Sequence, residues 1–192
     1  MAKVKMEMKT LAYPMPAFVI GANVDGKPNF MTAAWSGIAG STPPMITVAL
    51  QHHRHTLKGM KQNMTFTVNV PSVDLVKETD YCGIVSGTKT DKVADCHFKV
   101  FYGKLETAPM IEQFPVNLEC KVQHILNLGS HELVVGSIEE AHISEECLTD
   151  GRPDADKIKP IAFVGRRYRA MGKEVGGAFA IGKELPGAKL PT

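Results

Sequence analysis

A cationic turn beside a hydroxyl group is the first stretch of this sequence that could do chemistry. Residues 52–56 read HHRHT, so one guanidinium, three imidazoles and one hydroxyl stand within five positions. A helical pattern follows the turn, and we expect Thr56 to cap a helix that runs to Lys61. Helix starts bind anions through free backbone N–H groups, and the planar guanidinium of Arg54 offers paired donors to phosphate oxygens. The turn therefore predicts a phosphate site.

A second loop has the composition for the same ligand. Residues 86–92 read SGTKTDK, in which Ser86 and two threonines supply hydroxyl groups and Lys92 supplies a compact charge. Lysine and arginine are mostly exposed, so a solvated surface position remains the alternative for Arg54 and Lys92. Two cations flanked by hydroxyls, in otherwise sparsely charged stretches, favour a shared phosphate.

An uncharged stretch precedes the turn. Residues 28–51 contain no Asp, Glu, Lys or Arg, although Asn29, Thr32 and Trp35 lie within them. Pro43, Pro44 and two glycines interrupt any continuous helix, so the stretch does not predict a membrane span. We interpret it as an apolar wall for a flat ring. The single tryptophan, Trp35, suits that wall, and the alternative is an anchor in the core or at a dimer interface.

The histidines also permit a metal-binding module as a separate hypothesis. His52, His53 and His55 lie in one turn, but a zinc centre needs ligands that converge on one point. Neighbouring side chains of an extended segment point apart, so we expect no metal site.

Composition narrows the functional classes. The chain of 192 residues carries 22 basic and 20 acidic side chains, a net charge of +2 that argues against nucleic acid as a partner. Four widely spaced cysteines form no C-x-x-C pair and are expected to be reduced thiols of a cytoplasmic protein. The first residues lack the apolar core of a signal peptide. No P-loop or G-x-G-x-x-G turn is present, so any NAD(P)H would bind transiently.

The chain is predicted to be mainly β with a few short helices. Expected strands are residues 17–22, 29–33, 45–50, 65–70, 98–102, 116–126 and 131–143, and residues 161–164 form a short apolar segment. Asp25-Gly26 predicts a hairpin, residues 37–44 a loop, residues 73–85 a second helix, and residues 65–70 a half-buried strand. About seven short strands in one domain suggest a closed or partly closed antiparallel barrel.

Five motifs carry a resemblance to a known family. They are NFMTAAW from Asn29, PPM from Pro43, RHT from Arg54, FTVN from Phe66 and YCGxxSGxxxDK from Tyr81. These motifs and the spacing between them resemble the flavin reductase-like family, with the flavoredoxin group as the best match. The resemblance implies one domain over residues 1–192, an FMN-binding split antiparallel β-barrel of the Greek-key type, and a homodimer with FMN near the subunit interface.

Transferred position by position, the resemblance implies a set of FMN contacts. Asn29, Met31, Thr32, Ala33 and Trp35 would surround the isoalloxazine ring; Arg54 and Thr56 would meet the phosphate, with Gln51 and His53 beside them; Cys82, Gly83, Ser86 and Lys92 would complete the contacts; and His131 would lie near the ring. Phe163 and Tyr168 are weaker transfers. Taken by itself, Cys82 is as well explained as a small packed side chain, and His131 as a strand-end histidine bonded to the backbone.

The function expected from the resemblance is redox chemistry. Bound FMN would pass electrons from a reduced donor, either a redox protein or NAD(P)H, to a small-molecule or protein acceptor. A non-enzymatic barrel that binds or stores a flavin is the alternative. Arg166, Arg167 and Arg169 would face either a solvated strand surface or an anionic partner.

Overall fold

The computed structural model describes residues 1–7 and 9–185, and Pro186 and Pro191 lie outside the described residues. The strands are β1 (Met15–Pro16), β2 (Phe18–Val24), β3 (Lys27–Ala33), β4 (Ser36–Ser41), β5 (Pro44–Gln51), β6 (Thr65–Val70), β7 (Val100–Phe101), β8 (Met110–Ile111), β9 (Val116–Asn127), β10 (His131–Ile143), β11 (Leu148–Thr149), β12 (Arg152–Pro153), β13 (Ile161–Val164) and β14 (Arg167–Ala170). The helices are α1 (His55–Asn63), α2 (Val76–Ile84), α3 (Lys92–Asp95) and α4 (Ala155–Ile158), with 3-10 turns at Val73–Leu75, Glu145–Cys147 and Ile181–Glu184.

One antiparallel sheet dominates the fold. Its seven strands follow the order β3-β2-β6-β9-β10-β5-β4, and β1, β13 and β14 form a smaller sheet. The prediction of a mainly β protein with a few short helices is thus confirmed. Strands β3 and β4 are the two edges of the large sheet, so its hydrogen-bond ladder is not closed into a barrel.

Two hairpins form at the turns that the sequence predicts. Strands β2 and β3 pair from Phe18↔Ala33 to Val24↔Lys27 around the predicted turn. Strands β9 and β10 pair over almost their full length around residues 128–130. The second hairpin is much longer than an average strand pair, and Glu132 near its tip contacts His52 and Lys61.

Strand β6 is more deeply buried than predicted. Residues Thr65 to Asn69 are all buried, because the long segment before β9 covers the face that would otherwise meet water. The Asn69 side chain lies under that segment, where Oδ1 accepts from the Ile111 backbone N–H at 3.1 Å and from Asn117 Nδ2 at 2.8 Å. The polar side chains in the alternating sequence of β6 therefore do not face solvent; Asn69 among them anchors the segment before β9.

Two further predictions were wrong. Residues 37–41 of the expected loop belong to β4, because β5 supplies a hydrogen-bond ladder that the glycine-rich composition does not reveal. The backbone of Arg54, not Thr56, caps α1, and no side chain makes a cap hydrogen bond there. Thr56 is instead fully buried, and its hydroxyl accepts from Asn29 Nδ2 at 2.6 Å.

Both faces of the β2–β3 hairpin are covered by apolar side chains. On one face Ile20 and Met31 join the larger core with Leu57 of α1. On the other face Val19 and Phe30 join a second cluster; its members are Val19, Phe30, Cys82, Phe98, Ile111 and Phe114. Because strand side chains alternate between faces, a single hairpin serves two cores, and β3 is held firmly at the sheet edge.

Helix α1 approaches the hairpin most closely at Gly59. A Cβ atom there would lie 2.3 Å from the Asn23 carbonyl oxygen, well inside the contact distance. The same carbonyl accepts from Asn63 Nδ2 at 2.7 Å, so it is fixed from two sides. Glycine at this position lets α1 lie directly on β2.

We predict that Gly59→Ala destabilises the protein. Alanine normally favours a helix over glycine by about 1 kcal/mol, but the clash with backbone should cost about 1–3 kcal/mol and reverse the sign. The midpoint of urea unfolding should fall. Gly37→Ala is the matched control, because a Cβ at Gly37 meets nothing within 4 Å. A midpoint that stays equal or rises for Gly59→Ala would contradict the close approach.

Candidate functional site

Two adjoining cavities open along β3, and we call them the inner and the middle compartment. The inner compartment has a volume of about 190 Å³ and is lined by Met31, Thr32, Ala33, Ala34, Trp35, Ala49, Leu50, Gln51, Arg54 and His131. The middle compartment has a volume of about 170 Å³ and is lined by Asn29, Met31, His53, Arg54, His55, Thr56, Ile84, Val85, Ser86, Gly87 and Lys92. Met31 and Arg54 line both, so the two compartments form one furrow.

A stacked pair of rings stands at the inner end of the furrow. The Trp35 and His131 ring centroids are 4.5 Å apart with an interplanar angle of 29°. Trp35 is 40% exposed, so this chain's own core does not absorb it. His131 lies opposite Gln51 in the β10–β5 register, and its Nδ1 hydrogen-bonds the Ser130 hydroxyl at 2.8 Å. The pair offers a flat apolar wall with a polar edge.

Arg54 occupies the junction of the two compartments. Its Nη1 donates to the Gly83 carbonyl at 3.0 Å, which orients the guanidinium. A guanidinium has five N–H donors, so this single bond leaves most of them for a ligand. Arg54 also precedes α1, whose first turn contains no acidic residue. The helix dipole and the guanidinium together favour an anion in the middle compartment.

Lys92 also lines the middle compartment. Only 4% of its surface is exposed, and Nζ donates to the Phe30 carbonyl at 2.7 Å and the Cys82 carbonyl at 2.9 Å. Burial lowers the pKa of this ammonium group. Two carbonyl groups use two of its three N–H donors. Lys92 therefore fastens the end of α2 to β3 and has one donor left for a ligand.

The loop after α2 is pressed tightly against β3. A Cβ atom at Gly87 would lie 1.8 Å from Asn29 Oδ1 and 3.1 Å from His55 Cδ2. Only glycine fits this approach, which brings the backbone of residues 85–87 to the wall of the middle compartment. Ser86 sits beside it, and its hydroxyl lies 2.9 Å from that of Thr88.

The structure brings most of the predicted site residues into the furrow. Those that line it are Asn29, Met31, Thr32, Ala33, Trp35, Gln51, His53, Arg54, Thr56, Ser86, Lys92 and His131. The Thr32 hydroxyl is itself occupied, because it donates to the Thr79 carbonyl of α2. Sequence analysis missed Ala34, Ala49, Leu50, His55, Ile84, Val85 and Gly87. The only signal for them was proximity to strand ends and to the two predicted loops.

Cys82 and Gly83 line neither compartment. They act through their backbone carbonyls, which accept from Lys92 and Arg54 respectively. The Cys82 side chain is fully buried, and burial raises the pKa of its thiol to about 12. A thiol that keeps its proton is a poor nucleophile, so its surroundings favour packing over thiol chemistry.

The residues near the C-terminus stand apart from the furrow. Phe163 and Tyr168 pack against each other with centroids 5.7 Å apart, and the Tyr168 hydroxyl donates to Asp80 Oδ1 at 2.9 Å. Neither ring lines the inner or the middle compartment. Arg166, Arg167 and Arg169 are exposed.

His52 has a defined role outside the furrow. Its Nδ1 lies 2.9 Å from Glu132 Oε1 and its Nε2 lies 2.6 Å from the Gly129 carbonyl oxygen. Both partners are acceptors, so only an imidazolium with a proton on each nitrogen satisfies both. Lys61 of α1 also donates to Glu132 Oε1, at 2.6 Å. These contacts fix the tip of the β9–β10 hairpin, which carries His131.

In the part of the chain that the structure describes, no cluster of three or more His, Cys, Asp or Glu side chains suits a metal ion.

We predict that His52 makes stability depend on pH. Its hydrogen bonds to Gly129 and Glu132 raise its pKa in the folded protein. This stabilisation is therefore complete below the unfolded pKa of about 6.5 and is lost as pH rises through the folded pKa. Glu132 stays ionised over that window, because the hydrogen bond from Lys61 lowers its pKa. The melting temperature of the native protein should exceed that of His52→Gln most at about pH 6, with the gap closing by about pH 9.

The matched control is His124→Gln, which removes an exposed histidine from the same hairpin. Its melting temperature should follow that of the native protein at every pH. A gap for His52→Gln that is constant or grows with pH would show that His52 does not hold the hairpin as a cation.

Comparisons with known proteins agree with this geometry. The family profile described as "Flavin reductase like domain" matches residues 8–172. The flavoredoxin of Methanosarcina acetivorans superposes with a TM-score of 0.91 at 39% identity, over 95% of this chain and 98% of that one. The flavoredoxin of Desulfovibrio vulgaris (Miyazaki F) gives a TM-score of 0.88 at 36% identity, over 94% and 100% of the two chains.

A sequence relative points the same way. An uncharacterized protein of Archaeoglobus fulgidus is 33% identical over 171 residues, which is 88% of this chain and 95% of that protein. Over residues 1–7 and 9–185, no helix combines the length and the apolar character needed to cross a bilayer. The match over most of the sequence and the two superpositions confirm the resemblance: the chain belongs to the flavin reductase-like family.

Proposed function

We propose that this protein is an FMN-binding redox flavoprotein of the flavoredoxin type. The observation that carries the proposal is the continuous furrow, in which Arg54 lines both the end that holds the stacked Trp35–His131 pair and the cationic end. A flavin mononucleotide has the same division, with a flat heterocycle at one end and a phosphate dianion at the other. The flavoredoxins of comparable structure support the same ligand class.

The furrow fits FMN by the chemistry of its donors. We assign the phosphate to the middle compartment, where Arg54, Lys92 and the start of α1 concentrate positive potential. The Ser86 hydroxyl and the backbone beside Gly87 add neutral donors. We assign the isoalloxazine to the inner compartment, against Met31 and the Trp35–His131 pair. The length of β3 between Asn29 and Ala33 joins the two ends.

The chain's own groups would orient the ring and balance its charge. Bound FMN supplies the redox chemistry, because it accepts and releases electrons. His131 has Nδ1 bonded to Ser130, and its Nε2, without a hydrogen-bond partner among the described residues, can donate to a flavin oxygen. Such a donor stabilises negative charge as it develops on the ring. The exposed edge of Trp35 leaves a route for electrons to reach or leave the site.

The finer properties follow as parts of the same proposal. We infer one split-barrel domain that works in the cytoplasm as a homodimer. Trp35 beside the ring is an exposed apolar side chain, as are Leu11, Tyr13 and Ile38, and this exposure supports a subunit contact. The electron donor would be a redox protein or NAD(P)H, and the acceptor a protein or a small molecule.

We predict that Arg54→Ala weakens FMN binding about ten- to a hundredfold, the cost of losing one or two charge-assisted hydrogen bonds. Arg54→Lys should recover only part of the affinity, since an ammonium group lacks the paired donors of guanidinium. Fluorescence titration of the flavin-free protein with FMN measures both effects. Arg54 is a sharper probe than Lys92, whose removal would also leave two carbonyls without their donor.

Arg167→Ala is the matched control, because it removes an exposed guanidinium far along the chain from the furrow. Its FMN affinity should equal that of the native protein. Circular dichroism of each variant checks that the fold is intact. A folded Arg54→Ala protein with native FMN affinity would exclude the phosphate assignment, and a native protein that never binds FMN would exclude the proposed function.

We also predict that the FMN-loaded protein turns over electrons. Under anaerobic conditions, NADH or NADPH should bleach the bound flavin, and a ferric chelate should restore its colour. Bleaching by dithionite together with indifference to both nucleotides would exclude direct use of NAD(P)H and would direct the search to a donor protein. Bound flavin that no reductant or acceptor can address would identify a storage protein without turnover.

A further inference from the structure

Two cysteine thiols meet at the junction of α2 and α3. Cys82 lies in the last turn of α2, and Cys96 directly follows α3. Both side chains pack in the apolar cluster that contains Phe30, and the two thiol groups lie within hydrogen-bonding reach of each other. The proposed function uses the backbone carbonyl of Cys82 but neither of the two sulfur atoms.

Lys92 holds the backbone beside both thiols. Its Nζ donates to the Cys82 carbonyl at 2.9 Å, and its own carbonyl accepts from the Cys96 backbone N–H at 3.1 Å. A disulfide forms only between residues whose Cβ atoms are already close to each other. Because one residue anchors the backbone at both positions, the two cysteines are held together before any bond joins them.

The two thiols differ in their access to solvent. Cys82 is fully buried, whereas Cys96 is partly exposed. Of the two, a reagent from solution reaches Cys96, and Cys82 is reached through Cys96. This is the arrangement of an attacking thiol backed by a resolving thiol.

The charges around the pair keep both thiols protonated in the reduced protein. Burial raises the pKa of Cys96, and the nearby carboxylates of Glu78 and Asp95 raise it further, against the opposing charge of Lys92. Burial raises the pKa of Cys82 to about 12. Glu78 Oε2 is buried and has no hydrogen-bond partner among the described residues. This carboxylate oxygen can take up the proton that a thiol releases when it reacts.

We propose that Cys82 and Cys96 form a reversible disulfide by exchange with low-molecular-weight disulfides. The Cys96 thiolate attacks one sulfur of the small disulfide, whose S–S bond breaks, and one small thiolate leaves. Cys82 then gives its proton to Glu78 and attacks the Cys96 sulfur of the mixed disulfide, and the second small thiolate leaves. The two departing thiolates gain the two protons that the cysteines lose, so two protein thiols are oxidised and one small disulfide is reduced. The second attack is intramolecular, and proximity offsets the weak acidity of Cys82.

The disulfide would close residues 82–96 into a loop. That segment carries Ser86, Gly87 and Lys92, which line the middle compartment. A crosslink reduces the conformational freedom that FMN binding must remove from this wall. The oxidised protein should therefore bind FMN about threefold or more tightly than the reduced protein. This effect on the furrow rests on the proposed function, whereas the thiol chemistry does not.

Mass spectrometry of the flavin-free protein treated with oxidised glutathione tests the thiol chemistry. The native protein should lose two hydrogens, carry no glutathione and yield a crosslinked peptide that joins residues 82 and 96. Cys82→Ser should stop at a stable glutathione adduct on Cys96, and Cys96→Ser should show neither adduct nor crosslink at these positions. Cys147→Ser is the matched control, because it removes a buried thiol from another part of the fold, and it should react like the native protein.

The rate of crosslinking should rise about tenfold from about pH 7 to about pH 8, because only the thiolate attacks and the pKa of Cys96 is raised. The proposal is overturned if the native protein keeps a glutathione adduct without a crosslink, if Cys96 stays unmodified, or if Cys82 reacts in Cys96→Ser. Circular dichroism checks the fold of each variant. Cys96→Ser changes a partly exposed position, so it decides the question even where Cys82→Ser does not fold.

Titration of the reduced and the oxidised protein with FMN tests the effect on the furrow. Cys96→Ser, treated with the same oxidant, should keep the affinity of its untreated form. Equal FMN affinity of the reduced and the crosslinked native protein would overturn the link to the middle compartment. Absence of FMN binding in both forms would overturn the proposed function, and the crosslinked peptide would still decide the thiol chemistry.

Discussion

The fastening of the last turn of α2 to the rest of the molecule is the constraint on which the furrow depends. The final carbonyl groups of a helix have no partner within the helix and carry its negative dipole. Here the Cys82 carbonyl accepts from Lys92 and the Gly83 carbonyl accepts from Arg54. Lys92 also binds the Phe30 carbonyl of β3, so one ammonium joins the helix to the sheet edge. Lys92 and Arg54 thus satisfy the carbonyl groups at the end of α2, and each keeps donors that can face the middle compartment.

This arrangement gives the two cations different energetic roles. Lys92 is buried, and most of its hydrogen-bonding capacity is used on backbone groups, so its charge is held at the cost of solvation. Arg54 is only half-buried and donates one hydrogen bond, to the Gly83 carbonyl. The lysine therefore sets the shape and the potential of the pocket, and the arginine is free to make the directional contacts with a phosphate. Neither residue could replace the other without loss of one of these functions.

The opposite wall of the furrow depends on a long hairpin. Strands β9 and β10 pair over most of their length, and the tip half of β10, from His131 to Ser137, also pairs with β5. His52, Lys61 and Glu132 hold its tip against α1. Helix α1 in turn lies directly on β2 at Gly59. The ring pair of Trp35 and His131 is thus positioned by contacts between parts of the chain far apart in sequence, and not by its own strands alone.

The amino-acid sequence by itself determined the fold class, the hairpin turns, the family and most of the furrow residues. Those features are local. Asp25-Gly26 favours a turn, residues 45–50 favour a strand and the motif around Arg54 marks the start of a helix, each within a few positions. Only the tertiary structure decided that residues 36–41 form an edge strand, that Thr56 is buried beneath Asn29 and that Cys82 acts through its carbonyl. The physical reason is that each of these outcomes depends on the partner that another segment brings, and backbone groups, unlike side chains, leave no trace of that partner in the sequence.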